Sequence, residues 1–101
     1  MKPYQFLQTL LNTPSPSGFE TRGQKVWVDY VSKFADSVET DSYGNAYATL
    51  NPKGDPTVFM SGHVDELGFM VSHISDEGYL SIKGIGGIDN TLVRGQRSEE
   101  R

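Results

Sequence analysis

The sequence predicts a mixed α/β fold, two helices followed by about five strands, within a single domain. Three observations lead there. Apolar residues recur with helical period until about residue 34, and beyond that the period changes to two. At 101 residues the chain is too short for two independent cores, since domains usually run from about 50 to 250 residues. A composition of 36% hydrophobic and 22% charged residues allows a modest core and sets the chain apart from disordered ones.

Phe6, Leu7, Leu10 and Leu11 recur at i, i+1, i+4 and i+5, the stripe of a short amphipathic helix over residues 4–11, which Pro14 and Pro16 terminate. Ser17 and Glu20 have the S-x-x-E spacing of a capping box, so a second helix is expected to start there. Its core face is Val26, Trp27, Tyr30, Val31 and Phe34, with Arg22, Lys25, Asp29 and Lys33 towards water, and it ends near Phe34 or Ala35.

Residues 38–41 and 46–50, either side of a turn at Tyr43, Gly44 and Asn45, predict an antiparallel pair. Thr57, Val58, Phe59 and Met60 form a short continuous apolar run between turn signals, the pattern of a central strand buried on both faces. Residues 67–74 and 79–83, joined by a turn at Asp76, Glu77 and Gly78, predict a hairpin. Gly84, Gly86 and Gly87 then make a loop. After Ile88 the chain turns polar with no apolar element to anchor it, and it reads as an interrupted chain.

Composition excludes several function classes. Nine Lys and Arg against thirteen Asp and Glu give a net charge of −4, with a pI near 5.0, so nucleic acid is a poor partner. With no cysteine, disulfides, thiolate metal sites and thiol nucleophiles are excluded, and any metal falls to His, Asp and Glu. The amino terminus lacks the apolar region of a signal peptide, and no stretch approaches the roughly 20 apolar residues of a membrane span, so no membrane partner and a cytoplasmic location are expected.

Chemistry concentrates at Ser61, Gly62, His63, Val64, Asp65 and Glu66, just past the apolar run, where ligands sit in open α/β sheets. A neutral imidazole is a good ligand for zinc or cobalt. An Asp two residues on can accept the other ring N–H, which fixes the tautomer and raises ligand basicity. His63 is thus the candidate metal ligand and Asp65 its orienting, catalytic-site carboxylate. H-x-D alone is a weak signal, because a histidine at a strand end is more often merely hydrogen-bonded.

The context is more specific. His63, Val64, Asp65, Glu66, Leu67, Gly68, Phe69, Met70 and Val71, followed by Gly86, Gly87, Ile88, Asp89 and by Gly95, Gln96, Arg97, resemble the tetrahedral or glutamyl aminopeptidases, dinuclear metallopeptidases once labelled cellulase M-like. Leu11, the run from Ser15 to Glu20, and Asp41, Tyr43, Gly44 and Asn45 also match that family's opening and first hairpin. The resemblance extends from about residue 5 to residue 97. Residues 1–97 are accordingly expected to be the amino-terminal part of a mixed-sheet metallopeptidase catalytic domain, and the polar end 98–101 to depart from it.

The resemblance implies an exopeptidase that releases amino-terminal residues from peptides with two divalent ions, zinc or cobalt. His63 falls on the family's first metal ligand and Asp65 on the carboxylate that orients it. The other ligands and the general-base glutamate lie farther along in the family, so the site is incomplete here and the isolated chain is expected to be inactive. Homo-oligomers are expected only of the full-length protein. The alternative is a non-catalytic interaction module or remnant that pairs with a full-length relative through free strand edges.

Blander readings compete elsewhere. Asp65 and Glu66 are adjacent on an extended segment and point to opposite faces, so a glycosidase pair is disfavoured. His73 lies mid-strand and reads as a sheet histidine. Gly84, Ile85, Gly86 and Gly87 lack the P-loop pattern and read as a turn. No G-x-S-x-G elbow supports Ser15 or Ser17 as a nucleophile.

Overall fold

The computed structural model describes residues 1–98; the rest of the polar end assigned to 98–101 lies outside the described residues. Two helices come first, α1 (Pro3–Leu11) and α2 (Thr21–Val31), followed by four strands, β1 (Ser37–Thr40), β2 (Ala46–Thr49), β3 (Gly68–Ile74) and β4 (Leu80–Ile85). The α/β class and the order of elements are those expected, with one strand fewer.

Helix α1 opens with Pro3 in its first turn, where the missing N–H costs nothing, and the Lys2 amide donates to Gln5 Oε1 at 3.0 Å. It packs on α2 through Phe6, which stacks on Tyr30 with ring centroids 4.0 Å apart, and Tyr30 in turn meets Phe34 edge-on at 5.6 Å. Val31 is the one buried apolar side chain among the described residues, at 7% exposure, while Phe34 is largely exposed. The helical stripe was therefore correctly placed but is covered only in part. Helix α2 also begins later than the capping-box spacing predicts. Its N-cap is Glu20, with no side-chain cap bond, because the Glu20 carboxylate turns back to the Gly18 amide and the Ser17 hydroxyl bonds elsewhere.

Strands β1 and β2 pair antiparallel, with Ser37 opposite Thr49 and Thr40 opposite Ala46. One carboxylate organises their turn. Asp41 Oδ1 accepts from the amides of Tyr43 and Asn45, both at 2.9 Å, and Oδ2 accepts from Asn45 Nδ2 and the Tyr47 hydroxyl. Gly44 supplies the left-handed residue of that turn at φ +88°. Strands β3 and β4 form the second antiparallel pair, with a bulge between Val71 and His73 and a turn closed at Gly78 (φ +86°). His73 lies in β3 and is exposed.

The run at residues 57–60 is the main correction. It is not a strand, and Phe59 is 78% exposed. A strand buried on both faces needs hydrogen-bonding neighbours along its edges and layers above and below. Here each observed strand pairs only with its hairpin partner, in two separate two-stranded sheets, and none pairs with Val58, Phe59 or Met60. The molecule is accordingly drawn out, 61 × 25 × 23 Å, with a Cα radius of gyration of 17.9 Å against about 13 Å for a compact chain of this length. No helix among the described residues is long and apolar enough to cross a membrane.

Two isolated hairpins and one helix pair carry little independent stability in water. Expressed alone, the 101 residues are expected to melt broadly, bind a hydrophobic dye and self-associate. A sharp thermal transition with monomeric light scattering would contradict this.

Candidate functional site

The site is assembled by a contact between segments some fifty residues apart. Between α1 and α2 the prolines bar a helix, and the chain from Ser15 to Ser17 runs extended beside Glu66 as a parallel bridge. The Glu66 amide donates to the Ser15 carbonyl at 2.9 Å, and the Ser17 amide donates to the Glu66 carbonyl at 3.2 Å. A third bond runs from the Ser15 amide to Glu66 Oε1 at 3.1 Å. Glu66 is therefore a clamp on the amino-terminal segment, its carboxylate bonded to Ser15 while that of Asp65 bonds Ser17 and His63.

Small residues make this approach possible. Ser15 is 3% exposed and lies over Gly23 of α2, where an added Cβ would overlap its hydroxyl. On the other side Gly86, at φ +81°, faces Leu67 and Ser17; a Cβ there would come within 2.6 Å of Leu67 Cδ2. Gly86 is thus a close-packed turn position beside Leu67 and Ser17.

The candidate side chains hang from this bridge. His63 is highly exposed, with Nδ1 2.8 Å from Asp65 Oδ1. The other oxygen of the same carboxylate, Oδ2, accepts from the Ser17 hydroxyl at 2.5 Å. An ionised carboxylate can only accept, so the proton of the neutral ring sits on Nδ1 and the lone pair on Nε2 faces solvent. That is the tautomer and orientation a metal-binding histidine requires.

The structure brings together both residues that the sequence singled out, His63 and Asp65, and adds Ser17, which sequence reasoning had assigned to a helix cap. The Pro16–Gly18 surroundings held the signal, because a serine between proline and a left-handed glycine (φ +89°) sits in a turn and not at a helix start. Among the described residues no three His, Asp or Glu side chains group to hold an ion, so these residues offer one imidazole and its carboxylate, less than a whole site.

Electrostatics follow the contacts. The Ser17 hydroxyl, and after it the His63 ring, holds the Asp65 carboxyl below its ordinary value of 3.8. Asp41 is lowered likewise, chiefly by the Asn45 side-chain amide.

Comparison with known proteins is consistent along the chain. The family profile for M42 glutamyl aminopeptidase matches residues 44–99. A lysyl aminopeptidase of Pyrococcus furiosus is 34% identical over 95 residues, covering 92% of this chain and 27% of that protein. The glutamyl aminopeptidase of Lactococcus lactis is 28% identical, covering 96% of this chain and 28% of that one. A TET aminopeptidase from a marine sediment archaeon of the Thaumarchaeota superposes with a TM-score of 0.72 at 37% identity, over 83% of this chain and 24% of that structure. The chain spans about a quarter of the length of these relatives.

The lowered Asp65 carboxyl sets a pH dependence. A group whose folded value is depressed stabilises the fold above its unfolded value and loses that contribution as pH falls through the folded one. The Asp65 carboxyl carbon, followed by NMR, is therefore expected to titrate with a midpoint below 3.8. A midpoint at or above 3.8 would mean that the Ser17 and His63 contacts are not made in solution.

Proposed function

The chain belongs to the M42 glutamyl aminopeptidase family, and from that membership we propose that the full-length gene product is a metal-dependent aminopeptidase, a hydrolase that releases amino-terminal residues from peptides. The observation that carries the reading is the His63–Asp65 pair, a solvent-facing ring nitrogen whose tautomer is set by a carboxylate 2.8 Å away. The relatives are named for different residues, lysyl and glutamyl, so the proposal extends to the reaction and to peptides as substrates, and not to a preferred side chain.

In this proposal His63 contributes its Nε2 to one of two divalent ions, zinc or cobalt. Such an ion, when bound, supplies a polarised carbonyl and an activated water. The work of the chain's own residues is orientation. Asp65 keeps the proton on the far side of the His63 ring, and Ser17 and Glu66 hold the segment that carries both. A single imidazole does not hold an ion pair, so the 101 residues by themselves are proposed to be inactive. The full-length protein is proposed to act in the cytoplasm as a homo-oligomer.

One observation favours a second reading. The apolar run at Val58, Phe59 and Met60 is exposed and the strands of both hairpins have free edges, as suits a non-catalytic module that pairs with a full-length relative. Co-sedimentation of the 101-residue chain with a full-length relative supports the module; a chain that sediments as an indifferent, folded monomer excludes it.

The main proposal is tested with the full-length gene product and zinc or cobalt, assayed for release of residues from the amino ends of short peptides. Activity is expected, with loss of at least about 100-fold in His63→Ala and about 10- to 100-fold in Asp65→Asn. Absence of release with either ion would overturn it.

A further inference from the structure

We propose that Ser17 is a positioning residue of the site: its hydroxyl locks the Asp65 carboxylate, and through that carboxylate it sets the ring orientation and tautomer of His63. The inference rests on reading His63 and Asp65 as a ligand and its orienter.

The geometry divides the Asp65 carboxylate between two partners. Oδ1 meets the His63 ring at 2.8 Å and Oδ2 receives the Ser17 hydroxyl at 2.5 Å. A terminal carboxylate torsion is broad and roughly two-fold, so a single contact to the ring leaves the plane free to rock. A second bond on the other oxygen fixes the plane, and a charge-assisted O–H···O⁻ bond of this length is among the stronger hydrogen bonds a protein forms. The Ser17 hydroxyl can only be the donor here, since the ionised partner has no proton to give.

Ser17 is itself held in place. Its amide bonds the Glu66 carbonyl, and Phe19 closes a tight turn by donating to the Pro16 carbonyl at 2.8 Å, with Gly18 left-handed at φ +89°. Gly86 leaves room beside the hydroxyl, since a Cβ added there would lie 3.7 Å from Ser17 Oγ. A hydroxyl carried on backbone fixed by hydrogen bonds can order a neighbour at low entropic cost. Nothing else among the described residues donates to Oδ2. The hydroxyl caps no helix, so the contact to Asp65 is the bond it makes.

The test uses the full-length gene product, labelled with ¹⁵N in its histidines and examined at alkaline pH, where imidazoles are neutral. Native protein is expected to show His63 mostly as the Nδ1–H tautomer. Ser17→Ala is expected to lower the Nδ1–H to Nε2–H ratio at least about threefold and to weaken zinc binding by about 3- to 10-fold, short of the loss from removing Asp65 itself. Ser17→Thr, which keeps the hydroxyl, restores both. In an Asp65→Asn background Ser17→Ala has no further effect on the tautomer.

An unchanged tautomer ratio in a folded Ser17→Ala protein, or a second, additive loss in the Asp65→Asn background, would overturn the proposal. Should Ser17→Ala fail to fold, native protein supplies the decision: a slowly exchanging Ser17 hydroxyl proton coupled to the Asp65 carboxylate supports the proposal, and its absence overturns it. A protein with the tautomer shift but no peptidase activity sinks the proposed function and leaves this inference standing. An active enzyme without the shift does the reverse.

Discussion

Two backbone hydrogen bonds, Glu66 N–H to the Ser15 carbonyl and Ser17 N–H to the Glu66 carbonyl, are the constraint on which the rest of the arrangement depends. Most other contacts are local, apart from the packing of β2 on α2. The helices stack on one another through neighbouring aromatics, and each hairpin closes on its own turn. The bridge, with the Ser17–Asp65 and Ser15–Glu66 side-chain bonds beside it, fastens the segment bearing His63 and Asp65 to the helical end of the molecule. It is short, and it survives because its surroundings contain no side chain that would push it apart: Gly23 lies under Ser15 and Gly86 lies beside Ser17. An unpaired amide in this half-buried stretch would cost about 1–3 kcal/mol, so the prolines that end α1 do more than stop a helix. They leave an extended segment whose free amides need partners, and residue 66 supplies them.

Local elements were legible in the sequence because their causes are local. Phe6 and Leu10, or Val26, Tyr30 and Phe34, announce a helix by spacing alone, and Gly44 and Gly78 mark turns because few residues tolerate their backbone angles. The apolar run at residues 57–60 misled for the opposite reason. Its composition reports how it would sit inside a completed sheet, whereas strand formation depends on neighbours, and neither hairpin pairs with it.

The geometry of the candidate site was half legible. His63 and Asp65 lie two residues apart and could be paired by inspection, and the chemistry of imidazole and carboxylate does the rest. Ser17 lies 48 residues from Asp65, and its local spacing to Glu20 pointed to a different and equally sound use of a serine hydroxyl. The structure resolved that competition. Glu20 satisfies the Gly18 amide on its own, and the hydroxyl is free to serve the carboxylate across the bridge.

The bridge also closes a loop. Everything from α2 to the apolar run, the Asp41 hairpin included, lies between its two ends. The entropy of closing such a loop grows only with the logarithm of its length, about 0.6 kcal/mol for a doubling. The tip of that hairpin at Tyr43 and Gly44 could therefore lengthen or shorten over evolutionary time with little effect on how His63 and Asp65 meet. A single residue added between Pro16 and Gly18 would instead slip the register and turn the serine away. The architecture thus separates a stretch in which length is cheap to vary from a three-residue stretch in which it is not.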